Sequence, residues 1–222
     1  MCNLRALASV GFIMDRRSDP SCGPTEAQHT ERYLWAHIIS LCQGLHARRI
    51  VDIGCGNGAL CRELAEHGYE VVGCEPSAES LHFARLGAPG LVFHGLGVDD
   101  DPSVIGTESF DVAIATEVIE HLVTPLNLPH FARQLLRPGG HLIISTPYHG
   151  YLKNLVLALT NKWDSHLNPF WDGGHIKFWS YKTVSRLLNE NGFHVVRFIG
   201  AGRLPFLWKS MIVLAQKVEA SE

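Results

Sequence analysis

The sequence predicts an α/β fold, a doubly wound and mostly parallel sheet that ends in an antiparallel hairpin. Three observations predict it. Short apolar runs alternate with stretches of helical periodicity, the pattern of strands joined by crossover helices. The first strand-like run, 49–53, is closed by the glycine-rich string Gly54-Cys55-Gly56-Asn57-Gly58. The last two runs, 193–199 and 210–217, have only 200–209 between them, too short a link for a parallel crossover.

Taken in order, residues 1–24 carry Asp-Pro and Ser-Cys-Gly-Pro with little periodicity, and are expected to be a loosely ordered leader. A single domain, 25–222, is expected to follow. Residues 25–45 read as a helix, with Tyr33, His37, Ile38 and Leu41 at helical spacing. Strand 49–53 leads to helix 59–67, ended by Gly68. Strand 70–74 runs into Glu75-Pro76-Ser77, helix 78–86 follows, and 91–94 and 110–116 are the third and fourth strands. A helix starting near Pro129 reaches 136, with the proline expected at the first helical position. Pro138-Gly139-Gly140 is expected to turn before a fifth strand, 141–146. Helix 181–191 precedes the hairpin. Between them lies an aromatic-rich insert, 147–179.

Composition narrows the function classes. The 222 residues are 46% hydrophobic and 18% charged, which indicates a globular chain rather than a disordered one. The net charge is −3 and no Lys/Arg block occurs, so a nucleic-acid partner is not expected. The six cysteines show no Cys-x-x-Cys pair, consistent with reduced thiols in a cytoplasmic protein. The apolar stretch 4–14 is followed by Asp15, Arg16 and Arg17 rather than a small-residue cleavage site, so a signal peptide is not expected. No run approaches the ~18 apolar residues of a membrane span.

Glycines between a strand and a helix let backbone amides approach a ligand closely. Glu75 stands at the tip of the second strand, 21 residues after Gly54, where a carboxylate can accept both hydroxyls of a ribose. Gly54 to Ala59 also fits Gly-x-Gly-x-x-Ala, which keeps a dinucleotide formally open. Asp52, the third glycine Gly58 and the terminal hairpin argue against it.

Several further strings carry a resemblance: Val51-Asp-Ile-Gly-Cys-Gly-Asn-Gly-Ala59, Glu75-Pro-Ser, Ser109-Phe-Asp-Val, Glu117-Val-Ile-Glu-His121, Leu136-Arg-Pro-Gly-Gly140 and Ser145-Thr-Pro147. Together they resemble the successive motifs of class I S-adenosylmethionine-dependent methyltransferases, nearest the ubiquinone-pathway O-methyltransferase-like group. The resemblance implies a Rossmann-like, seven-stranded sheet whose last strand is antiparallel, and S-adenosyl-L-methionine as cofactor. It also implies roles. Asp52, Gly54, Cys55, Gly56 and Gly58 would surround the methionine portion. Glu75 would hold the ribose, with Pro76 beside it. Gly97, Val98 and Asp99 would flank the adenine, although Gly95-Leu-Gly-Val-Asp-Asp-Asp departs from the family's plain Gly-Asp pair. Thr116 and Glu117 would lie beneath the cofactor.

A second constellation concerns the methyl acceptor. Glu117, Glu120 and His121 stand at i, i+3 and i+4, one face if the segment is helical. Two carboxylates and an imidazole suit a divalent ion, Mg²⁺ or Mn²⁺ before Zn²⁺, and His175 is the candidate fourth ligand. Such an ion would lower the pKa of an acceptor hydroxyl. Similar Glu-x-x-Glu-His strings with a later histidine occur in the ubiquinone-pathway enzymes and in small-RNA 3′-terminal 2′-O-methyltransferases. The competing reading is that Glu117 lines the cofactor while Glu120 and His121 cap backbone. Without a metal, Glu117, His121 or His149 would serve as catalytic groups, though an exposed loop histidine is the plainer reading of His149.

The insert is expected to cover the substrate. Residues 151–159 read as a short apolar helix, either a lid or a peripheral membrane contact. Trp163, Phe170, Trp171, Phe178 and Trp179 would form a pocket wall or core. The expected activity is O-methylation of a small molecule, such as a catechol or quinol, a sugar or a lipid-linked intermediate. A metal-independent N- or C-methyltransferase and a catalytically silent cofactor-binding subunit are the alternatives. The oligomeric state is not legible.

Overall fold

The computed structural model describes residues 32–167 and 174–218. The expected leader, the start of the first helix, Phe170 and Trp171 lie outside these residues. Helix α1 (Arg32–Gly44) is followed by β1 (Arg49–Ile53), α2 (Ala59–Glu66), β2 (Glu70–Cys74), α3 (Ala78–Gly87) and β3 (Val92–His94). Then come β4 (Phe110–Thr116), α4 (Asn127–Leu135) and β5 (Leu136–Pro147). The insert contributes α5 (Tyr151–Leu159) and α6 (Trp163–Leu167), and α7 (Tyr181–Glu190), β6 (Phe193–Ala201) and β7 (Ser210–Lys217) close the chain.

The strands form one seven-stranded sheet in the order β3-β2-β1-β4-β5-β7-β6. The first five pair in parallel, and β7 runs antiparallel to both β5 and β6. The chain moves outward from β1 to β3, then returns to place β4 on the other side of β1. That reversal opens a crevice at the carboxyl ends of β1 and β4, where ligands of such sheets bind.

Both faces of the sheet are buried, which is why its central strands are continuously apolar. Side chains alternate between the two cores. Ile50, Val112, Ile114 and Ile143 pack under α1, α2 and α3, while Val51, Ala113, Ala115, Leu142 and Ile144 pack under α4 and α7. Asp111 ties the opposite end together. Its Oδ2 accepts from the backbone amides of Arg48 and Arg49 at 2.8 and 2.9 Å, and its Oδ1 accepts from Arg137 Nε at 2.7 Å.

Two local expectations are corrected. Pro138-Gly139-Gly140 does not turn ahead of the fifth strand; it is a bulge within β5. Leu136 pairs with Phe110 and His141 with Val112, so the intervening residues loop out of register. Pro129 is the third residue of α4, not the first. Its missing N–H is still among the four amides that a helix start leaves unbonded.

Candidate functional site

The glycine loop forms as β1 ends. The amides of Gly54 and Cys55 both donate to the carbonyl of Cys74, at 2.7 and 3.0 Å, which locks the loop to the tip of β2. Gly54 has φ +76, and a Cβ on it would lie 2.6 Å from Val118 Cγ2; only glycine fits there. Gly56, at φ +53, faces open space within 4 Å, so its backbone is accessible to a ligand. Gly58 starts α2. The Cys55 side chain turns inward, against Gly73. Asp52 is buried beneath the loop and accepts from Cys61 Sγ at 3.3 Å. Hydrogen bonding to Cys55 and burial push the Cys61 thiol well up, so it packs as an inert thiol. The four described cysteines are free.

Glu75 bridges this loop to the next helix. Its Oε2 accepts from Gly56 N at 3.2 Å and its Oε1 from Ser77 N at 2.8 Å. A Cβ on Gly97 would lie 3.4 Å from Pro76 Cβ, so the two segments pass close to one another. Gly97 N donates to Asp100 Oδ2 at 2.8 Å, Asp99 accepts from Asn127, and Val98 packs against the α4 and α7 core. The expected cofactor residues therefore line one edge, from the tips of β1 and β2 to the loop after β3.

Thr116 ends β4, and the next residue is strained: Glu117 has φ +52, uncommon for a residue other than glycine. Its amide donates to Ser145 at 3.1 Å. Its carboxylate accepts from Ser145 Oγ at 2.8 Å and from Ser210 Oγ at 3.3 Å. Ser210 has one hydroxyl proton, committed to Glu117, so Tyr33 OH is the donor in the 2.6 Å contact between them. The expected helical face is thus corrected. The left-handed backbone at Glu117 breaks the register, and Ile119–His121 is a single 3-10 turn. Glu117 turns toward β5 and β7.

Glu120 and His121 turn the other way and meet His175. Ligand atoms of these three lie within 4.8 Å of one another. Glu120 is 1% exposed, and His175 Nε2 stands 4.0 Å from its Oε1. The His121 and His175 rings meet edge-on at 4.9 Å. Residue 175 is brought across 55 positions of sequence by backbone: Ile176 N and Lys177 N both donate to the Glu120 carbonyl, at 3.0 and 3.1 Å. Burial and then His121 push His175 down to about 4, leaving it neutral at pH 7 with a lone pair to offer. Among the described residues, Glu117 is not part of this group.

The plainer reading of His149 as an exposed loop histidine is corrected by its burial. The residue is 9% exposed, wedged against Phe178 at 5.1 Å and His166 at 5.4 Å. Trp179 packs in the core with α7.

The comparisons with known proteins agree with this frame. Residues 27–197 match the family model described as "Methyltransferase domain". The chain belongs to the S-adenosylmethionine-dependent methyltransferases. It is similar to a ubiquinone biosynthesis O-methyltransferase of Alkalilimnicola ehrlichii, 31% identical over 185 residues, covering 73% of this chain and 72% of that one. A relative of the same name from an Azoarcus species is 29% identical over 163 residues, covering 71% and 69%. An S-adenosylmethionine-dependent methyltransferase from Mesorhizobium loti superposes with a TM-score of 0.62 at 20% identity, covering 83% of this chain and 98% of that one. The methyltransferase domain of bacterial CtHen1-CN does so with 0.62 at 19%, covering 84% and 98%. At such identities the likeness shows the fold.

Acid should loosen this methyltransferase at His149. Burial, then Lys153 and His166, lower its imidazole from 6.5 to about 4. The unfolded chain therefore takes up the proton first as pH falls. Stability is full above about pH 6.5 and is lost on the way down to about 4, by up to about 2 kcal/mol at pH 5 for this one group. Thermal melts at pH 7 and 5 should show the drop, and His149→Gln should show a smaller one.

Proposed function

We propose that this methyltransferase O-methylates a small molecule bearing two adjacent hydroxyls, with a divalent cation held by Glu120, His121 and His175. The observation that carries the reading is the convergence of those three side chains around one buried carboxylate, beside the crevice between β1 and β4. The name of the relatives supports a hydroxyl acceptor. One carboxylate with two imidazoles favours a first-row transition ion such as Fe²⁺, Mn²⁺ or Zn²⁺ over Mg²⁺, which prefers oxygen ligands. The expectation of Mg²⁺ rested on a second carboxylate, Glu117, which is turned toward Ser145 and Ser210 instead.

In this reading Asp52, Gly54, Cys55, Gly56 and Gly58 hold the methionine portion of S-adenosylmethionine. Glu75 and Pro76 hold the ribose, Gly97, Val98 and Asp99 flank the adenine, and Thr116 and Glu117 form the floor. Attack by oxygen on the sulfonium methyl breaks the C–S bond and releases a neutral sulfide, so the chain's task is in-line positioning. Glu120, His121 and His175 would hold the cation, which would supply acidity to an acceptor hydroxyl. His149 is the candidate acceptor of the hydroxyl proton, a weak one, because burial and Lys153 hold its imidazole down to about 4. The test is metal analysis of purified protein, with catechol methylation measured before and after chelation. Loss of turnover on chelation and its return on adding one of these ions supports the proposal; unchanged turnover in chelator overturns it.

A second surface supports contact with a lipid bilayer. No described helix is long and apolar enough to cross a membrane, but α5 is turned inside out. Tyr151 is 83% and Leu159 78% exposed, and Leu152, Leu155 and Val156 face outward with them. Leu204 and Phe206, in the β6–β7 loop, are exposed too, and that loop is tied to α5 by Lys153 Nζ donating to the Lys209 carbonyl at 3.3 Å. Exposed Arg203 and Lys209 lie among them, a pairing of apolar and basic groups that suits anionic lipid. Flotation with phosphatidylglycerol vesicles should carry the protein upward, and Leu155→Asp with Phe206→Asp should leave it at the bottom. Equal flotation of both proteins would contradict this contact.

A further inference from the structure

Tyr33 opens α1 beside the face that Leu34, Ile38 and Leu41 bury, and it is itself half-buried. Its ring is gripped from the side of the β6–β7 loop. Lys209 Nζ lies 5.5 Å from the ring centroid, a cation–π contact, and a Cβ on Gly202 would meet Tyr33 Cε2 at 3.2 Å. An aromatic ring alone would fill that place. The hydroxyl adds something that packing does not need: it reaches Ser210 Oγ at 2.6 Å, across 177 positions of sequence.

Ser210 begins β7, paired with Pro147 at the end of β5, and is 2% exposed. A buried hydroxyl has one proton to give and two lone pairs. Ser210 gives its proton to Glu117 Oε2 at 3.3 Å and takes one from Tyr33. Ser145, on β5, does the same at the other oxygen: it accepts from Glu117 N at 3.1 Å and donates to Glu117 Oε1 at 2.8 Å. Two hydroxyl chains thus converge on one carboxylate, and each hydroxyl is polarised by the donor behind it. The chain through Ser145 is local to the β4–β5 pair. The chain through Ser210 ties the carboxylate to β7 and to α1. Glu117 carries left-handed backbone, φ +52, a conformation that persists only where the surroundings hold it.

We infer that Tyr33 and Ser210 are positioning residues for Glu117, a two-hydroxyl relay that fixes its carboxylate at the tip of β4 for the cofactor. The relay rests on the reading of Glu117 as part of the cofactor floor. Tyr33 acts only through Ser210, and Ser210 only through Glu117. The first helix, which lies outside the glycine loop and the ribose carboxylate, thereby contributes to cofactor affinity.

The test is a double-mutant cycle read as S-adenosylhomocysteine affinity by isothermal titration. Tyr33→Phe should weaken binding roughly fivefold, the scale of one hydrogen bond, and Ser210→Ala by at least as much. In the Ser210→Ala and Glu117→Ala backgrounds, Tyr33→Phe should change affinity by less than about twofold, because the hydroxyl has no path left to act by. Ser210→Thr, which keeps the hydroxyl, should restore most of what Ser210→Ala loses. Melting temperatures separate these effects from loss of fold. A Tyr33→Phe penalty that persists undiminished in Ser210→Ala overturns the relay and assigns the hydroxyl to packing or to the cofactor itself. Where Glu117→Ala binds too weakly to measure, the Ser210→Ala background alone decides. Unchanged affinity in Tyr33→Phe, or no rescue by Ser210→Thr in a protein that melts like the parent, also overturns it. Loss of affinity in Glu117→Ala without loss in Tyr33→Phe overturns the relay and keeps the floor; parent affinity in Glu117→Ala overturns the floor and the relay with it.

Discussion

Glu75→Gln should weaken S-adenosylhomocysteine binding by roughly 30-fold, about 2 kcal/mol, with little change in fold. The carboxylate stands at the tip of β2 with its two oxygens on Gly56 N and Ser77 N. It thus belongs at once to the glycine loop and to the start of α3. In the proposed complex the same oxygens accept from the two ribose hydroxyls, and charge-assisted bonds of that kind are about twice as strong as neutral ones. Glutamine keeps one acceptor oxygen, so the loop retains a tether while the ribose loses a charged partner. Alanine should do worse, since both backbone amides then lose their acceptor. Isothermal titration separates these outcomes. Affinity within twofold of the parent in Glu75→Gln would remove Glu75 from the cofactor site.

If Glu120 holds the proposed cation, Glu120→Gln should strip it and lower kcat on a catechol by roughly a hundredfold or more, the range expected when activation of a hydroxyl is lost. The substitution is nearly isosteric, and the backbone carbonyl that anchors Ile176 and Lys177 is untouched. The fold around His175 should therefore persist. His175→Ala should have the same effect from the other side of the cluster. Glu117→Gln is the informative contrast. Its carboxylate accepts from Ser145 and Ser210 and lies outside the group formed by Glu120, His121 and His175, so Glu117→Gln should keep the proposed metal while changing cofactor affinity. Metal content by mass spectrometry alongside turnover distinguishes the three. Full metal content in Glu120→Gln, or its loss in Glu117→Gln, would reassign the ligands.

The parts of this chain that were legible in sequence are those fixed by local chemistry. Strands β1, β2 and β4 begin and end where apolar runs meet glycine, proline or charge, and the structure places them at the expected residues. The hairpin followed from the ten residues between its strands. The errors lie where distant parts of the chain decide. Glu117, Glu120 and His121 have helical spacing, yet the crowding of Gly54 against Val118 and the bonds from Ser145 accompany a left-handed residue at 117. Pro138-Gly139-Gly140 has turn chemistry, but pairing with β4 resumes at His141 and leaves a bulge. His149 read as an exposed loop histidine; its burial comes with His166 of α6 packing against it, as that of Lys153 comes with its bond to the β6–β7 loop. His175 was singled out by residue type and by the later histidine that accompanies similar Glu-x-x-Glu-His strings; the two backbone bonds to Glu120 that bring it into place leave no trace in sequence.

The most direct measurement is transfer of a trideuteromethyl group from labelled S-adenosylmethionine to 3,4-dihydroxybenzoate, with the product resolved by mass spectrometry and NMR. The expected product carries the label on one hydroxyl oxygen, disappears on chelation, and returns with Fe²⁺, Mn²⁺ or Zn²⁺. Label on carbon or nitrogen of an acceptor whose hydroxyls stay unmodified, or an oxygen-labelled product formed equally well in chelator, would contradict it.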